Sequence, residues 1–349
     1  MHIPDGYLSP QTCAVLGAAV IPIWATAANK LKKTLKEKQV PLLAIGAAFS
    51  FTIMMYNIPI PNGTTAHAVG ASLLAIILGP LAATVGVSIA LIIQAFFFGD
   101  GGILALGANI FNMAFVMPFV SYYLYRLIAG NSEISSKRRF VASIIAGYVA
   151  INVAAICVGI ELGIQPLLFH KADGTPLYAP YGLKQTLTAM FFAHATLAGS
   201  IEGVVTGLVV KYLQKAHIDM LQIYPPQKIS NSSRIPYKFN TKKLWYALIV
   251  LIIFTPLGLL AQGTAYGEWS SEDLQAKIGF IPNGMAKFAD KWQALLPDYS
   301  VPGLESSFFK SALGYIFSAV VALLIILAIT VVIGSLQKRK KMNQNVSKL

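Results

Sequence analysis

Charge is scarce in this sequence: Asp, Glu, Lys and Arg make up 12% of its 349 residues, and only 14 of those residues are acidic. A soluble domain carries about 25% charged residues, so the soluble globular class is excluded. Cysteine is nearly absent as well. Cys13 and Cys157 both lie inside apolar stretches with no C-x-x-C spacing, which excludes a disulfide framework and a redox pair. There is no G-x-x-x-x-G-K-[ST] phosphate loop and no H-E-x-x-H motif, so the chain reads neither as an ATPase nor as a zinc hydrolase. Aromatic-interleaved basic stretches, internal repeats and low-complexity tracts are missing too, and nucleic acid is set aside as a partner.

What is abundant is apolar sequence, at 56% of residues. Nine apolar segments stand out, at about 9–28, 41–57, 66–79, 81–98, 103–126, 140–161, 185–210, 244–262 and 310–335. Most approach the roughly 20 residues that cross a bilayer as a helix. The expectation is an all-α integral membrane protein embedded in lipid. A seven-span helical bundle occupies 1–212, a basic polar linker 213–243, and a two-span hairpin 244–349 whose outer loop has about 47 residues. The third segment, between Pro61-Asn62-Gly63 and Gly79-Pro80, is too short to face lipid and is expected to be half-inserted or enclosed by protein.

The net charge of +13 resolves into topology. With nine spans, 21 of the 27 Lys and Arg residues share one side, leaving Lys171, Lys184, Lys277, Lys287, Lys291 and Lys310 on the other. The positive-inside rule then places the N-terminus outside and the C-terminus in the cytoplasm of a multi-pass cell-membrane protein. Residues 1–8 carry no Lys or Arg, and the basic cluster follows the first span, the reverse of a secretory signal. An uncleaved, outward-facing N-terminus is expected.

Polar residues within or beside spans are functional candidates, and His2 and His67 lead them. A chain beginning X-His offers its amine, the residue 2 amide nitrogen and the imidazole Nδ1 to one metal, nearly in a plane. A second imidazole, from His67, can fill the fourth position, and square-planar nitrogen selects Ni(II) or Cu(II). The alternatives are that His2 is a solvated terminal residue and His67 an ordinary span-end cap. Asp5 either orients one of these imidazoles or caps the first span. Asn62 and Thr64 lie in the turn before His67, close enough in sequence to support it. Asp100, inside Gly99-Asp100-Gly101-Gly102, reads as a turn residue. His194 and Glu202, eight apart and about 80° around a helix, are assigned a structural or docking role, with each other or with a partner helix.

The run Met1-His2-Ile3-Pro4-Asp5-Gly6-Tyr7-Leu8, followed by Pro61-Asn62-Gly63-Thr64-Thr65-Ala66-His67 and by Phe98-Gly99-Asp100-Gly101-Gly102-Ile103, resembles the CbiM/NikM family over about 1–212. These are substrate-binding membrane components of energy-coupling-factor cobalt and nickel importers. The resemblance implies a metal site at Met1, His2 and His67, with Ni(II) or Co(II) as transported substrate and no resident cofactor. It also implies partners: cytoplasmic ABC-type ATPase subunits and a transmembrane coupling (T) component. The hairpin, with Thr255-Pro256-Leu257-Gly258 and Gly263-Thr264-Ala265-Tyr266-Gly267-Glu268-Trp269, is similar to the small CbiN/NikN partner fused at the C-terminus, an arrangement closer to nickel-type than cobalt-type systems. Where that family shows Pro-Asp-Gly-Leu-Glu, this chain has Val301-Pro302-Gly303-Leu304-Glu305, so no role is carried over for the Asp.

The function expected is therefore substrate capture for ATP-driven nickel import, with cobalt as the alternative metal. An autonomous secondary transporter is the weaker rival, since coupling by ions calls for ionisable groups near mid-membrane and Glu202 alone qualifies. Metal binding displaces protons, the α-amine having a reference pKa of about 7.7–8.0, so uptake is expected to weaken in acid.

Overall fold

Ser9 and Pro10 start the first helix, α1 (Pro10–Thr34): the Ser9 hydroxyl accepts the Thr12 N–H at 3.1 Å, and Pro10 stands where no amide donor is needed. The computed structural model describes residues 1–34, 40–61, 63–216, 220–221, 241–261 and 263–346. Among them are six helices long and apolar enough to cross a membrane. Val15 and Ile21 are exposed on α1, which suits a helix with one face in lipid. The second apolar segment is a shorter helix, α2 (Val40–Met54), buried along most of its length.

The third segment is the least regular. Ile58–Ile60 (β1) pairs antiparallel with Thr64–Ala66 (β2), a small hairpin that the span assignment did not anticipate. The chain then runs through His67 into a two-turn helix, α3 (Ala71–Leu78), whose eight residues are all buried, so this segment is enclosed by protein. Gly79, at φ 85° and ψ 161°, takes a conformation open essentially to glycine alone and breaks α3 from α4 (Pro80–Ile93).

Among the described residues three helical runs contain a π turn. Helix α4 continues through Gln94–Phe98, and α5 (Leu106–Asn109) runs through Ile110–Val116 into α6 (Met117–Ala129). Ser136 caps α7 (Lys137–Gly163), a single turn α8 (Gln165–Leu168) follows, and α9 (Leu183–Ala193) passes through His194–Ala198 into α10 (Gly199–Ala216). Each π turn holds a buried polar residue, Gln94, Asn112 or His194, and such turns are frequent at functional sites. Helices α7 and α10 meet almost backbone to backbone: a Cβ on Gly203 would stand 2.7 Å from the Ile144 carbonyl oxygen. Small residues permit this approach between membrane helices.

The remainder is α11 (Lys242–Phe254), a 3₁₀ segment Thr255–Leu260, two short helices α12 (Ser271–Ile278) and α13 (Asn283–Phe288), and the long α14 (Phe308–Val346). Helices α11 and α14 pack on α2. One apolar cluster runs from Met1, Ile3 and Tyr7 through Phe51 and Phe98 to Tyr299 and Tyr315, so the loop between α11 and α14 shares a core with the bundle.

Candidate metal centre

The N-terminus is an internal plug. Met1, His2 and Ile3 are 3%, 3% and 0% exposed, and their backbone is paired as burial requires. Ile3 donates its N–H to Asn109 Oδ1 at 2.8 Å, and its carbonyl accepts from Asn109 Nδ2 at 3.1 Å and from Gly102 N–H at 2.9 Å. Asp5 accepts the N–H groups of Ile103, Leu104 and Ala105 at 3.0, 2.8 and 3.2 Å, which caps the start of α5. Burial raises its carboxyl above the ordinary range, against the pull of those three donors. Asp5 thus anchors the plug to residues 103–105 and does not cap α1.

Gly102 leaves room for this contact, since a Cβ there would lie 2.0 Å from Asp5 Oδ1 and 2.4 Å from Asp5 N. Gly102→Ala is expected to destabilise the metal-free chain by about 1–3 kcal/mol through overpacking. Thermal melting in detergent checks this against wild type.

The structure brings the two histidines side by side: their rings are 5.0 Å apart between centroids and inclined by 30°. His67 Nδ1 donates to the Ala68 carbonyl at 3.0 Å, which leaves the lone pair on Nε2. That Nε2 is buried and has no hydrogen-bond partner. With its proton on Nδ1 given to the Ala68 carbonyl and no acceptor facing Nε2, the buried His67 imidazole is arranged as the neutral form.

His2 and Met1 are engaged differently. His2 Nδ1 lies 2.9 Å from Asp100 Oδ1 and its Nε2 3.3 Å from Gln94 Oε1, while the Met1 amine is 3.3 Å from Glu268 Oε1. Burial by itself would raise the Asp100 carboxyl, but the adjacent His2 holds it well below the usual carboxylate range. Asp100 also accepts from Gln94 Nε2 at 3.2 Å and from the Tyr299 hydroxyl. Tyr299 is left-handed at φ 61° and stacks on Phe98 with centroids 5.0 Å apart. A side chain in that backbone region costs about 1–3 kcal/mol and persists where its surroundings over-determine it.

Asp100 is therefore more than a turn residue. Glu268 and Tyr299 were missed altogether, because they belong to the long loop before α14 and no local pattern ties them to residues 1–2. Thr64 donates its hydroxyl to the Thr264 carbonyl at 3.1 Å, which fastens that loop to β2. Asn62 lies outside the described residues. His194 and Glu202 do not pair: His194 Nδ1 donates to the Met190 carbonyl at 2.7 Å with Nε2 unpartnered, and Glu202 accepts the backbone N–H groups of Val69, Gly70 and Ser72.

The arrangement collects a buried amine, one imidazole beside it and a second, neutral imidazole with an unused nitrogen. Residues 2–220 match the family model for the cobalt uptake substrate-specific transmembrane region, CbiM, and residues 241–339 match the PDGLE domain. The chain belongs to the CbiM family. It is 43% identical over 343 residues to the fused nickel transport protein NikMN of Rhodobacter capsulatus, covering 94% of this chain and 95% of that one. The probable fused nickel transport protein LarMN of Lactiplantibacillus plantarum is 45% identical over 336 residues, with the same two coverages. A crystal structure of a truncated transition metal transporter matches with 61% identity and a TM-score of 0.58, covering 61% of this chain and 98% of that one. The CbiM match contains His2, His67, Asp100 and Glu202, whereas Glu268 and Tyr299 fall within the PDGLE match, so the cluster joins the two matched regions.

Proposed function

We propose that this protein captures Ni(II) as the substrate-binding membrane subunit of an ATP-driven importer of the energy-coupling-factor type. The observation that carries the reading is the buried, unpartnered Nε2 of His67 next to His2 and the buried Met1 amine. Four nitrogens hold the ion in a plane: the Met1 amine, the His2 amide nitrogen, His2 Nδ1 and His67 Nε2. On binding, the Met1 ammonium and the His2 amide each give up a proton and the His2 ring proton moves from Nδ1 to Nε2, where Gln94 Oε1 accepts it, so that nitrogen lone pairs meet the metal in place of the contacts to Glu268 and Asp100. Both carboxylates stay beside the ion as counter-charge. Asp5 acts on the site by pinning residues 103–105, and Thr64 by tying the overlying loop.

Residues 1–212 form the metal-binding bundle and the segment from 244 onward a hairpin whose loop covers the site, while the basic cytoplasmic linker assigned to 213–243 falls largely outside the described residues. The one-sided distribution of Lys and Arg supports an outward N-terminus and a cytoplasmic C-terminus. Energy comes from cytoplasmic ATPase subunits acting through a transmembrane coupling component, since the chain has no phosphate loop of its own. Nickel is favoured over cobalt because three relatives with the fused arrangement, matched over 94% of this chain, are named as nickel transport proteins.

Titration of the purified chain with Ni(II) and Co(II), followed by absorption and native mass spectrometry, tests the reading. One ion per chain is expected, with Ni(II) the tighter. Tighter Co(II) would make cobalt the substrate, and the absence of saturable binding of either would overturn the assignment.

A further inference from the structure

Between β2 and α3 the chain from His67 to Gly70 has no regular structure, yet it lies in the buried interior, where an unpaired amide is costly. Gly70, which begins α3, has no side chain to cap it. The pairing comes from Glu202 on α10, which is 1% exposed. Its Oε2 accepts Val69 N–H and Gly70 N–H, both at 2.9 Å, and its Oε1 accepts Ser72 N–H at 3.4 Å.

The Val69 N–H belongs to the same peptide group as the Ala68 carbonyl, and that carbonyl accepts His67 Nδ1–H at 3.0 Å. One peptide plane thus carries the imidazole on its oxygen side and the carboxylate on its nitrogen side. Hydrogen bonds in such a chain polarise one another. A negative charge at the far end strengthens the Ala68 oxygen as acceptor, fixes His67 with its proton on Nδ1, and makes Nε2 a better donor to a metal. Histidine ligands bonded directly to a carboxylate gain basicity and a fixed tautomer in this way. Here a peptide group is interposed.

The mounting is rigid on both sides. Ser50 donates its hydroxyl to the Val69 carbonyl at 2.8 Å, so Val69 is held at its N–H and its C=O. Gly203, next to Glu202, packs so closely on α7 that a Cβ would meet the Ile144 carbonyl oxygen at 2.7 Å.

We infer that Glu202 is a positioning residue for metal capture, holding His67 and tuning its Nε2 through the Ala68–Val69 peptide group. The inference rests on the metal reading above and assigns Glu202 no contact with the ion. The test is Ni(II) titration of the full-length purified chain carrying Glu202→Gln, with Glu161→Gln as control. Glu161 is another buried acidic residue; it accepts from Asn112 Nδ2 at 2.7 Å and, among the described residues, makes no hydrogen bond to the His67 segment. Glu202→Gln keeps the shape and removes the charge. It is expected to weaken Ni(II) binding about 10–100-fold, the range for partners of metal-bound histidines, and to shift the ligand-field absorption of the saturated chain. Glu161→Gln should stay within about two-fold of wild type, with a superimposable spectrum.

Should Glu202→Gln fail to fold, Glu202→Asp keeps the charge but withdraws it by one methylene, and a smaller loss in the same direction is expected. Wild-type affinity and spectrum in whichever of the two variants folds would overturn the inference. So would an equal loss in Glu161→Gln. His67→Ala, run alongside, separates the two levels: if it binds Ni(II) as wild type does, the metal reading itself fails. If it loses binding while Glu202→Gln does not, only the role of Glu202 fails.

Discussion

A single residue added ahead of Met1 is expected to weaken Ni(II) binding by at least about 1,000-fold, which corresponds to roughly 4 kcal/mol. The extension converts the terminal amine into a peptide nitrogen, so the set shared with His67 is lost; a chain beginning X-X-His can close a planar set on its own amine, two amides and imidazole only by leaving the buried position beside His67. It also forces a new residue into a filled space, because Met1 is 3% exposed and packed in the main apolar cluster. His67→Ala leaves the amine, amide and His2 imidazole in place, so its loss should be smaller than that of the extension. Titration followed by native mass spectrometry gives both values. Retained affinity that still requires His67 would remove the amine from the ligand set and move attention to His194, whose buried Nε2 is also unpartnered, whereas retained affinity independent of His67 would mark a new chelate made by the extended terminus alone.

The proposed ligands could be named from the sequence because their chemistry is local: an amine, an amide and an imidazole in two consecutive residues define a candidate chelate before any folding. The long helices were legible for a similar reason, as apolar runs in a lipid solvent leave the backbone few alternatives. The groups that hold those ligands were not. Asp100 looked like a glycine-rich turn because its partner, His2, is 98 residues away and nothing in the turn itself points there. Glu268 and Tyr299 reach residues 1–2 and 100 only through the docking of a long loop. For His194 and Glu202 the reason is geometric. A spacing of eight gives about 80° in a regular helix, but the π turn His194–Ala198 lies between them and takes up one residue. That brings the pair to about 20° in helix position, a register shift set by packing. Even so the two side chains go to different partners, since three unpaired amides at the start of α3 attract the Glu202 carboxylate more strongly than a neutral imidazole does.

Removal of residues 244–349 is expected to lower Ni(II) uptake by at least about ten-fold in cells that supply the ATPase and coupling partners, while the purified bundle still binds one ion. The bundle should fold, because the truncated transporter with 61% identity covers 61% of this chain. All four proposed ligands come from Met1, His2 and His67, so stoichiometry should survive. What the hairpin supplies is order at the mouth of the site. Its loop bonds to the rim at many points: Tyr7 hydroxyl to the Trp269 carbonyl at 2.9 Å, Gly284 N–H to the Leu177 carbonyl at 2.6 Å, Leu296 N–H to the Phe97 carbonyl at 2.9 Å, and Trp292 Nε1 to the Phe96 carbonyl at 3.0 Å. Through Glu268 and Tyr299 it also balances the Met1 amine and completes the pairing of Asp100. Without it the amine loses its counter-ion and the plug of Met1, Ile3 and Tyr7 loses its cover, so the ligands must be gathered from a wider ensemble at each capture, a cost that preorganisation otherwise removes. Glu268→Gln combined with Tyr299→Phe in the intact chain should reproduce part of the defect without removing any helix. Uptake unchanged by both the deletion and the double variant would mean that the loop covers the site without helping to load it.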